Sequence, residues 1–268
     1  MIHLNAPLNA HPIAVFDSGL GGLTVLRALR QQLPHEDFLY FADTRFLPYG
    51  DRPESFLRER GVQIAEALAG RGAKALVIAC NTATAVAAEA IRAATPIPVI
   101  ALEPGVKPAA ALSQRGVVGV LATTRTLRSE RFQRLVGTHA NHLEVIAQPC
   151  PGLAEAIEAG GAESERVETL LDEFVAPLAA AGADVVVLGC THYPWVESAI
   201  ARRLPPGAIL LDTGDAVARQ LERILTAAGL LGGGHGHLRL ATSGAPRQVQ
   251  ATVDRLWGEK ITVEHWEP

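Results

Sequence analysis

The chain has 268 residues, of which 48% are hydrophobic and 19% charged, and its formal net charge is −4. This composition excludes a disordered chain, and the length allows one large domain or two smaller ones. The acidic balance argues against nucleic acid as a partner, and no apolar run approaches the about 18 residues of a membrane helix. The N-terminal MIHLNAPLNAHP lacks the basic and apolar regions of a signal peptide, so we expect a cytoplasmic protein that contacts no membrane.

Short apolar runs rich in β-branched residues alternate with helical stretches from one end of the chain to the other. The expected strands are 13–16, 37–41, 75–79, 99–101, 117–121, 144–147, 184–188, 208–212 and 237–241. The expected helices are 22–32, 53–71, 82–94, 106–114, 126–135, 153–159, 163–181, 194–204, 213–228 and 245–256. This alternation predicts βαβ units and therefore parallel sheets covered by helices.

The chain contains an internal repeat. Residues 75–82 and 184–192 are each an apolar strand followed by a cysteine and small polar residues, and 13–19 resembles 117–124 more faintly. We therefore expect an α/β fold with two pseudosymmetric domains, each a mostly parallel sheet flanked by helices. The first domain is predicted to comprise residues 1–101 plus 212–268, and the second residues 102–211.

Three widely separated cysteines, Cys80, Cys150 and Cys190, do not form a disulfide framework and fit a reducing compartment. Cys80 and Cys190 each follow a predicted buried strand and precede a helix, where the helix N-terminus is expected to lower the pKa of a thiol. A thiol with such a pKa suits a general base or a nucleophile. The alternative is simple packing, which is our interpretation of Cys150 because it lacks this context.

The two matched thiols favour one kind of chemistry. A single cysteine beside a histidine, such as Cys190 with His192, would suit acyl transfer. Two thiols from two halves instead supply a base on one face of a carbon centre and an acid on the other. Their separation is unlike a CxxC motif, which disfavours dithiol redox chemistry and zinc binding.

A glycine-rich segment, residues 17–22, follows the first strand with the sequence DSGLGG. It invites a dinucleotide-binding interpretation, but Thr24 stands where that fingerprint requires Gly or Ala. Asp17 can cap the following helix or tune a nearby thiol. Tyr49 and Gly50 can offer a hydroxyl and an amide to a ligand, or form a turn with a packed tyrosine.

The sequence gives little support for a bound metal or for pyridoxal phosphate. His235 and His237 form an HxH motif without an evident third ligand, so no metal is expected. Lys74, Lys107 and Lys260 are the only lysines that could form a Schiff base with pyridoxal phosphate. His192 can cap a helix, or it can exchange protons with the Cys190 thiol or with a substrate ammonium.

Four motifs, in order along nearly the whole chain, resemble those of bacterial glutamate racemases. They are FDSGLGGLT at 16–24, Asp43-Thr44 with PYG at 48–50, ACNTAT at 79–84 and GCTHYP at 189–194. The resemblance implies a cofactor-independent enzyme that interconverts L- and D-glutamate and supplies D-glutamate for peptidoglycan. It also implies an active site between the two domains and a homodimer.

The resemblance also implies roles for individual residues. Cys80 and Cys190 would be the acid/base thiols, Asp17 would support Cys80 and His192 would support Cys190. Asp43 and Glu158 would be auxiliary acidic residues. The implied glutamate contacts are Asp17, Ser18, Tyr49, Gly50, Asn81, Thr82, Thr191 and His192.

The chain departs from the family pattern at Ala122-Thr123, where Gly-Thr is usual, and at Gly152-Leu153, where Leu-Phe is usual. These changes concern the shape of the pocket wall and the packing of the domains. Two alternatives stay open. An aspartate racemase would typically carry Glu at the position of His192. A non-catalytic protein that binds or inhibits a partner such as DNA gyrase would not need the cysteine pair.

Overall fold

A computed structural model describes residues 7–268. The first half of the N-terminal segment that we interpret as lacking a signal peptide lies outside the described residues. The chain divides into two compact units. Unit 1 contains the chain up to Leu102 together with Gly214–Pro268, and unit 2 is Glu103–Thr213.

The strands and helices follow in chain order. The strands are β1 Ile13–Asp17, β2 Phe38–Ala42, β3 Ala75–Ile78, β4 Val99–Ala101, β5 Val117–Ala122, β6 Glu144–Pro149, β7 Val185–Gly189, β8 Ile209–Leu211, β9 Leu238–Thr242 and β10 Val263–His265. The helices are α1 Leu23–Gln32, α2 Glu54–Gly70, α3 Asn81–Ala94, α4 Val106–Leu112, α5 Thr124–Arg128, α6 Glu130–His139, α7 Leu153–Gly160, α8 Glu165–Ala180, α9 Glu197–Ala201, α10 Gly214–Ala227 and α11 Pro246–Trp257. Short 3₁₀ helices occupy Leu8–Ala10, Thr44–Phe46, Tyr49–Asp51 and Tyr193–Val196.

Unit 1 is built on a six-stranded parallel sheet in the order β10-β9-β2-β1-β3-β4. All residues of β1, β2 and β3 are buried, as expected for central strands with helices on both faces. In the register, Asp17 is opposite Ala42, and Phe16 is opposite Ile78. The residues that follow these three strands therefore lie side by side at one edge of the sheet.

Unit 2 is built on a four-stranded parallel sheet in the order β6-β5-β7-β8. This order reproduces the β2-β1-β3-β4 part of unit 1, so β5 corresponds to β1 and β7 to β3. The predicted fold class, α/β with two mostly parallel sheets flanked by helices, is confirmed, and so is the internal repeat. Cys190 directly follows β7, and Cys80 follows the corresponding strand β3 with only Ala79 between them.

Two predicted helices are interrupted in the structure. The stretch 126–135 is divided between α5 and α6 because Ser129 has an extended backbone and its Oγ accepts a 3.1 Å hydrogen bond from the Phe132 N–H. This side-chain cap begins a new helix. The stretch 194–204 begins as the 3₁₀ turn Tyr193–Val196 and continues only as the short α9. The three-residue edge strand β10 is also absent from our sequence prediction.

None of the helices between residues 7 and 268 combines the length and the apolar character that crossing a membrane requires.

Candidate active site

Polar residues gather at the carboxyl edge of the unit 1 sheet. Asp17 ends β1, Ser18 follows it, and Cys80 comes after the neighbouring strand β3. Cys80 is the N-cap of α3, and its Sγ accepts a 3.4 Å hydrogen bond from the Ala83 N–H. The same thiol donates to Ser18 Oγ at 3.5 Å. The structure thus brings three predicted site residues together in a buried cluster.

The glycine-rich segment folds around the carboxylate of Asp17. Its two oxygens accept hydrogen bonds from the Ser18 N–H at 2.7 Å and from the Gly22 N–H at 2.5 Å. A Cβ at Gly22 would lie 2.9 Å from both Asp17 Cβ and the Tyr40 hydroxyl oxygen, so a larger residue would displace this turn. Asp17 therefore fixes the turn that leads into α1, beside the Cys80 thiol.

The expected lowering of the thiol pKa is wrong for Cys80. Burial raises the pKa of this thiol well above its usual range, and the nearby negative charge of Asp17 raises it further. The hydrogen bonds with Ser18 and with the Ala83 N–H act in the opposite direction but are weaker. A helix N-terminus does not offset full desolvation combined with a neighbouring carboxylate. Cys80 is accordingly a protonated thiol in this environment.

Asn81 and Thr82 are the first two residues of α3 and are both buried. The side-chain oxygen of Asn81 has no hydrogen-bond partner among the residues that the structure describes. A buried unsatisfied acceptor costs about 1–3 kcal/mol, which a ligand donor could recover. This observation favours Asn81 as a contact for a polar ligand.

Tyr49 belongs to a buried polar group that sequence reasoning recognised only in part. Its hydroxyl donates to Asp43 Oδ2 at 2.5 Å, and Arg60 donates to both oxygens of Asp43, at 3.0 Å and 2.7 Å. Because the tyrosine hydrogen points to Asp43, the backbone of Tyr49–Gly50 is the better candidate to donate to a ligand. Burial raises the pKa of Tyr49, and Asp43 adds to this effect.

Arg60 itself is absent from our sequence prediction. A signal for it exists, since Arg60 lies on the buried face of α2 between Leu57 and Ile64, at helical spacing from both. A charged residue on an apolar helix face needs a buried partner, and Asp43 is that partner.

In unit 2, Cys190 follows β7 and lies beside His192. The distance from Cys190 Sγ to His192 Nδ1 is 3.6 Å, and His192 Nε2 is 2.6 Å from Glu158 Oε1 on α7. Burial by itself lowers the pKa of His192, but its hydrogen bonds to Cys190 and Glu158 outweigh burial, so the pKa lies well above the ordinary value. A histidinium at this position places a positive charge next to the Cys190 sulfur. Thr191, between them in the chain, is also buried.

Two threonines at the same edge of unit 2 were not among our predicted site residues. The register pairs Ala122 of β5 with Gly189 of β7, so Thr123 and Cys190 follow adjacent positions. Thr123 caps α5 by accepting a 3.2 Å hydrogen bond from the Thr126 N–H, and the two hydroxyl oxygens are 2.9 Å apart. The repeat could have identified Thr123, because 117–124 matches 13–19 and so places Thr123 near the position of Asp17.

The remaining candidates lie elsewhere or pack in the core. All three cysteines are buried free thiols. Contrary to the expectation from the sequence, Cys150 also follows a strand, β6, and precedes a helix, α7, although Pro151 and Gly152 replace the polar residues that follow the other two cysteines. It packs in an apolar cluster of unit 2, and burial raises its pKa to about 12. The N–H groups of His235 and His237 both donate to Asp37 Oδ1, and residues 7–268 contain no group of three or more His, Cys, Asp or Glu side chains placed to hold a metal.

Lys74, one of the three Schiff-base candidates, forms a buried ion pair with Glu36. Glu36 precedes β2 and Lys74 precedes β3, so the pair lies at the amino edge of the sheet, opposite Cys80. Its ammonium also donates to the Asn9 carbonyl oxygen at 2.5 Å. These contacts give Lys74 a structural role.

Comparison with known proteins identifies the family of the chain. The family model for Asp/Glu/Hydantoin racemase matches residues 25–221, and the chain belongs to this family. The family resemblance of the motifs is thereby confirmed, and the chain is an amino-acid racemase, which is a type of isomerase.

Individual relatives match over almost the full length. The glutamate racemase of Pseudomonas paraeruginosa is 48% identical over 254 residues, 94% of this chain and 96% of the relative. The crystal structure of glutamate racemase isoform RacE1 from Bacillus anthracis has a TM-score of 0.86 at 31% identity, with 96% of this chain and 97% of that chain covered. The glutamate racemase of Francisella tularensis in complex with D-glutamate has a TM-score of 0.84 at 29% identity, with 97% and 98% covered.

Proposed function

We propose that this racemase interconverts L- and D-glutamate with two thiols and no cofactor. The observation that carries the proposal is the matched placement of Cys80 and Cys190 after corresponding strands, each beside its own ionisable residue. The names of the relatives support glutamate as the substrate, and one related structure was determined with D-glutamate.

In the proposed reaction, one cysteine is a thiolate and the other is a thiol. The thiolate removes the α-hydrogen of glutamate as a proton, and the electron pair of the broken C–H bond stays on the α-carbon. The opposite thiol then gives its proton to the other face of that carbon and becomes the thiolate. The mechanism therefore requires the two sulfurs to reach opposite faces of one substrate carbon.

The surroundings of the thiols support a division of states between them. Cys190 lies next to His192, whose pKa is raised by hydrogen bonds to Cys190 and Glu158, so a positive charge stands beside this sulfur. The Cys80 thiol is kept protonated by burial and by Asp17. We assign the starting state with thiolate at Cys190 and thiol at Cys80, and each turnover exchanges the two states.

The carbanion-like intermediate needs preorganised hydrogen-bond donors and exclusion of water, because no pyridoxal ring delocalises its charge. Buried polar residues beside each thiol fit this need, and the unpartnered Asn81 oxygen suits the substrate ammonium. We propose that glutamate contacts the following residues: Asp17, Ser18, Tyr49, Gly50, Asn81, Thr82, Thr191 and His192.

We further propose a cytoplasmic homodimer that supplies D-glutamate for peptidoglycan.

Circular dichroism of the purified, reduced protein tests the activity directly. The signals of L-glutamate and D-glutamate should both decay to zero in buffer without pyridoxal phosphate or added metal. Decay with aspartate but not glutamate would assign the chain to aspartate racemisation instead. No decay with either amino acid would reject the proposal.

A further inference from the structure

Arg60 and Asp43, which form a buried group with Tyr49, have no role in the two-thiol chemistry described above. Asp43 is fully buried, and the Arg60 side chain is only 7% exposed. The guanidinium binds both carboxylate oxygens of Asp43 and stacks on the Phe46 ring at 4.8 Å from its centroid. A two-pronged contact of this kind fixes the rotation of the carboxylate as well as its position.

The same group is connected to the environment of Cys80. Tyr49 and Cys80 belong to one buried cluster, and the Tyr49 ring meets Phe16 of β1 edge to face at 6.2 Å. Because Asp43 accepts the Tyr49 hydroxyl hydrogen, the carboxylate held by Arg60 determines the direction of this ring. A fixed ring in turn constrains the backbone of Tyr49–Gly50, to which it is attached.

A second connection runs through the helices. Arg60 precedes Gly61, where α2 packs closely on α3: a Cβ at Gly61 would lie 3.0 Å from Ile91 Cδ1 and 3.1 Å from Ala87 Cβ. The N-cap of α3 is Cys80. The close packing at Gly61 therefore fixes the position of Arg60 relative to α3, the helix that begins after Cys80.

A stability role alone does not explain this arrangement. Apolar side chains of similar volume stabilise a core about as well as a buried ion pair, because two charges must be desolvated to form the pair. What the ion pair adds is directional control of Asp43 and, through it, of Tyr49.

We propose that Arg60 is a positioning residue for racemisation, which fixes the Tyr49–Gly50 segment beside Cys80 through Asp43 and the Tyr49 hydroxyl. This inference rests on the proposed function, since Tyr49 and Gly50 are proposed substrate contacts. It predicts that damage to the chain of contacts weakens glutamate binding more than it slows turnover.

Steady-state racemisation of D-glutamate, followed by circular dichroism, tests this inference with the variants Arg60→Lys, Tyr49→Phe and Arg60→Met. Lysine keeps the charge but cannot bind both carboxylate oxygens, and phenylalanine removes only the hydroxyl. We expect each of the first two to raise KM about tenfold, while kcat stays within about threefold of the wild type. Arg58→Met, at an exposed position on the same helix, is the matched control and should leave both constants unchanged.

The variants act on one chain of contacts, so their effects should not add. The double variant Arg60→Met/Tyr49→Phe should have a KM within about twofold of that of Arg60→Met. If Arg60→Met does not fold, the same comparison is made with Arg60→Lys.

Two results would overturn the inference. One is an unchanged KM in both Arg60→Lys and Tyr49→Phe. The other is a loss of kcat in proportion to the folded fraction, since that is what a purely structural role produces. Failure of the proposed function is distinguishable, because the wild-type enzyme would then be inactive in the same assay.

Discussion

The surroundings of Cys80 and Cys190 differ although the two cysteines follow corresponding strands of a repeated sheet. Cys80 adjoins Ser18 and the carboxylate of Asp17, and its pKa is raised. Cys190 adjoins His192, whose second ring nitrogen meets Glu158. The repeat therefore determines where a thiol lies, while one or two local side chains determine which charges stand beside it.

This difference has a chemical use. An acid and a base are both needed for racemisation, and two thiols with identical surroundings would tend towards the same protonation state. A neighbouring carboxylate on one side and a histidine–carboxylate pair on the other separate the two states within the same type of residue.

The largest expected effect comes from replacing either thiol. Cys80→Ser and Cys190→Ser should each lower kcat/KM by about 10³-fold or more in both directions, because a serine hydroxyl is a far weaker acid and base than a thiol. The assay is circular dichroism with each enantiomer. Cys150→Ser is the control, since Cys150 is a buried thiol to which the proposed reaction assigns no role. Near-normal racemisation by both single variants would exclude the two-thiol mechanism.

Gly22→Ala should disturb only the Cys80 side. The new Cβ would come within 3.0 Å of Asp17, Tyr40 and Ala79 atoms, which we expect to cost about 1–3 kcal/mol in the free energy of unfolding. The measurement is urea denaturation. Gly137→Ala is the matched control, because among the described residues no atom beyond its chain neighbours and the backbone of α6 lies within 4 Å of the added Cβ.

We expect the control to gain about 0.5–1 kcal/mol from the helix preference of alanine over glycine. Equal stability of the wild type and Gly22→Ala would contradict the packing of the glycine-rich turn around Asp17.

Glu158→Gln should alter the Cys190 side in a pH-dependent way. The substitution removes one of the interactions that raise the pKa of His192, so this pKa falls, while the hydrogen bond to Cys190 remains. The alkaline limit of kcat/KM should move to lower pH, with a loss of about tenfold at pH 8. Glu163→Gln, at an exposed position, is the control. An unchanged pH profile would show that Glu158 does not act through His192.

The same pKa shift predicts a pH-dependent stability. A raised pKa in the folded state means that folding favours protonated His192, so this stabilisation is complete below the ordinary pKa of about 6.5. It is lost as the pH rises through the higher pKa of the folded state. Thermal unfolding from pH 6 to pH 10 should therefore show a smaller decline in Tm for Glu158→Gln than for the wild type.

Much of the fold is predictable from the sequence because its strands are short buried apolar runs. Strands 13–16 and 117–121 differ from β1 and β5 by a single residue at one end. The Ser129 cap was missed because a helical apolar pattern continues across it. β10 was missed because three residues carry too little periodicity.

The site was predictable where its residues are adjacent in the chain, as in the two cysteine motifs. Contacts between residues that are far apart in the chain were not predictable. His192 meets Glu158 across 34 positions, and Arg60 meets Asp43 across 17. Asp43 and Glu158 were expected only as auxiliary acids, with no partner assigned. The raised pKa of Cys80 depends on complete burial, which a strand-end motif does not reveal.

The most direct test of the two-thiol account is exchange of the glutamate α-hydrogen with deuterated water, followed by NMR in the two single serine variants. Each variant keeps one thiol and so should exchange the α-hydrogen of one enantiomer only. Cys80→Ser and Cys190→Ser should act on opposite enantiomers. Exchange of the same enantiomer by both variants, or of both enantiomers by either one, would contradict proton transfer by two thiols from opposite faces.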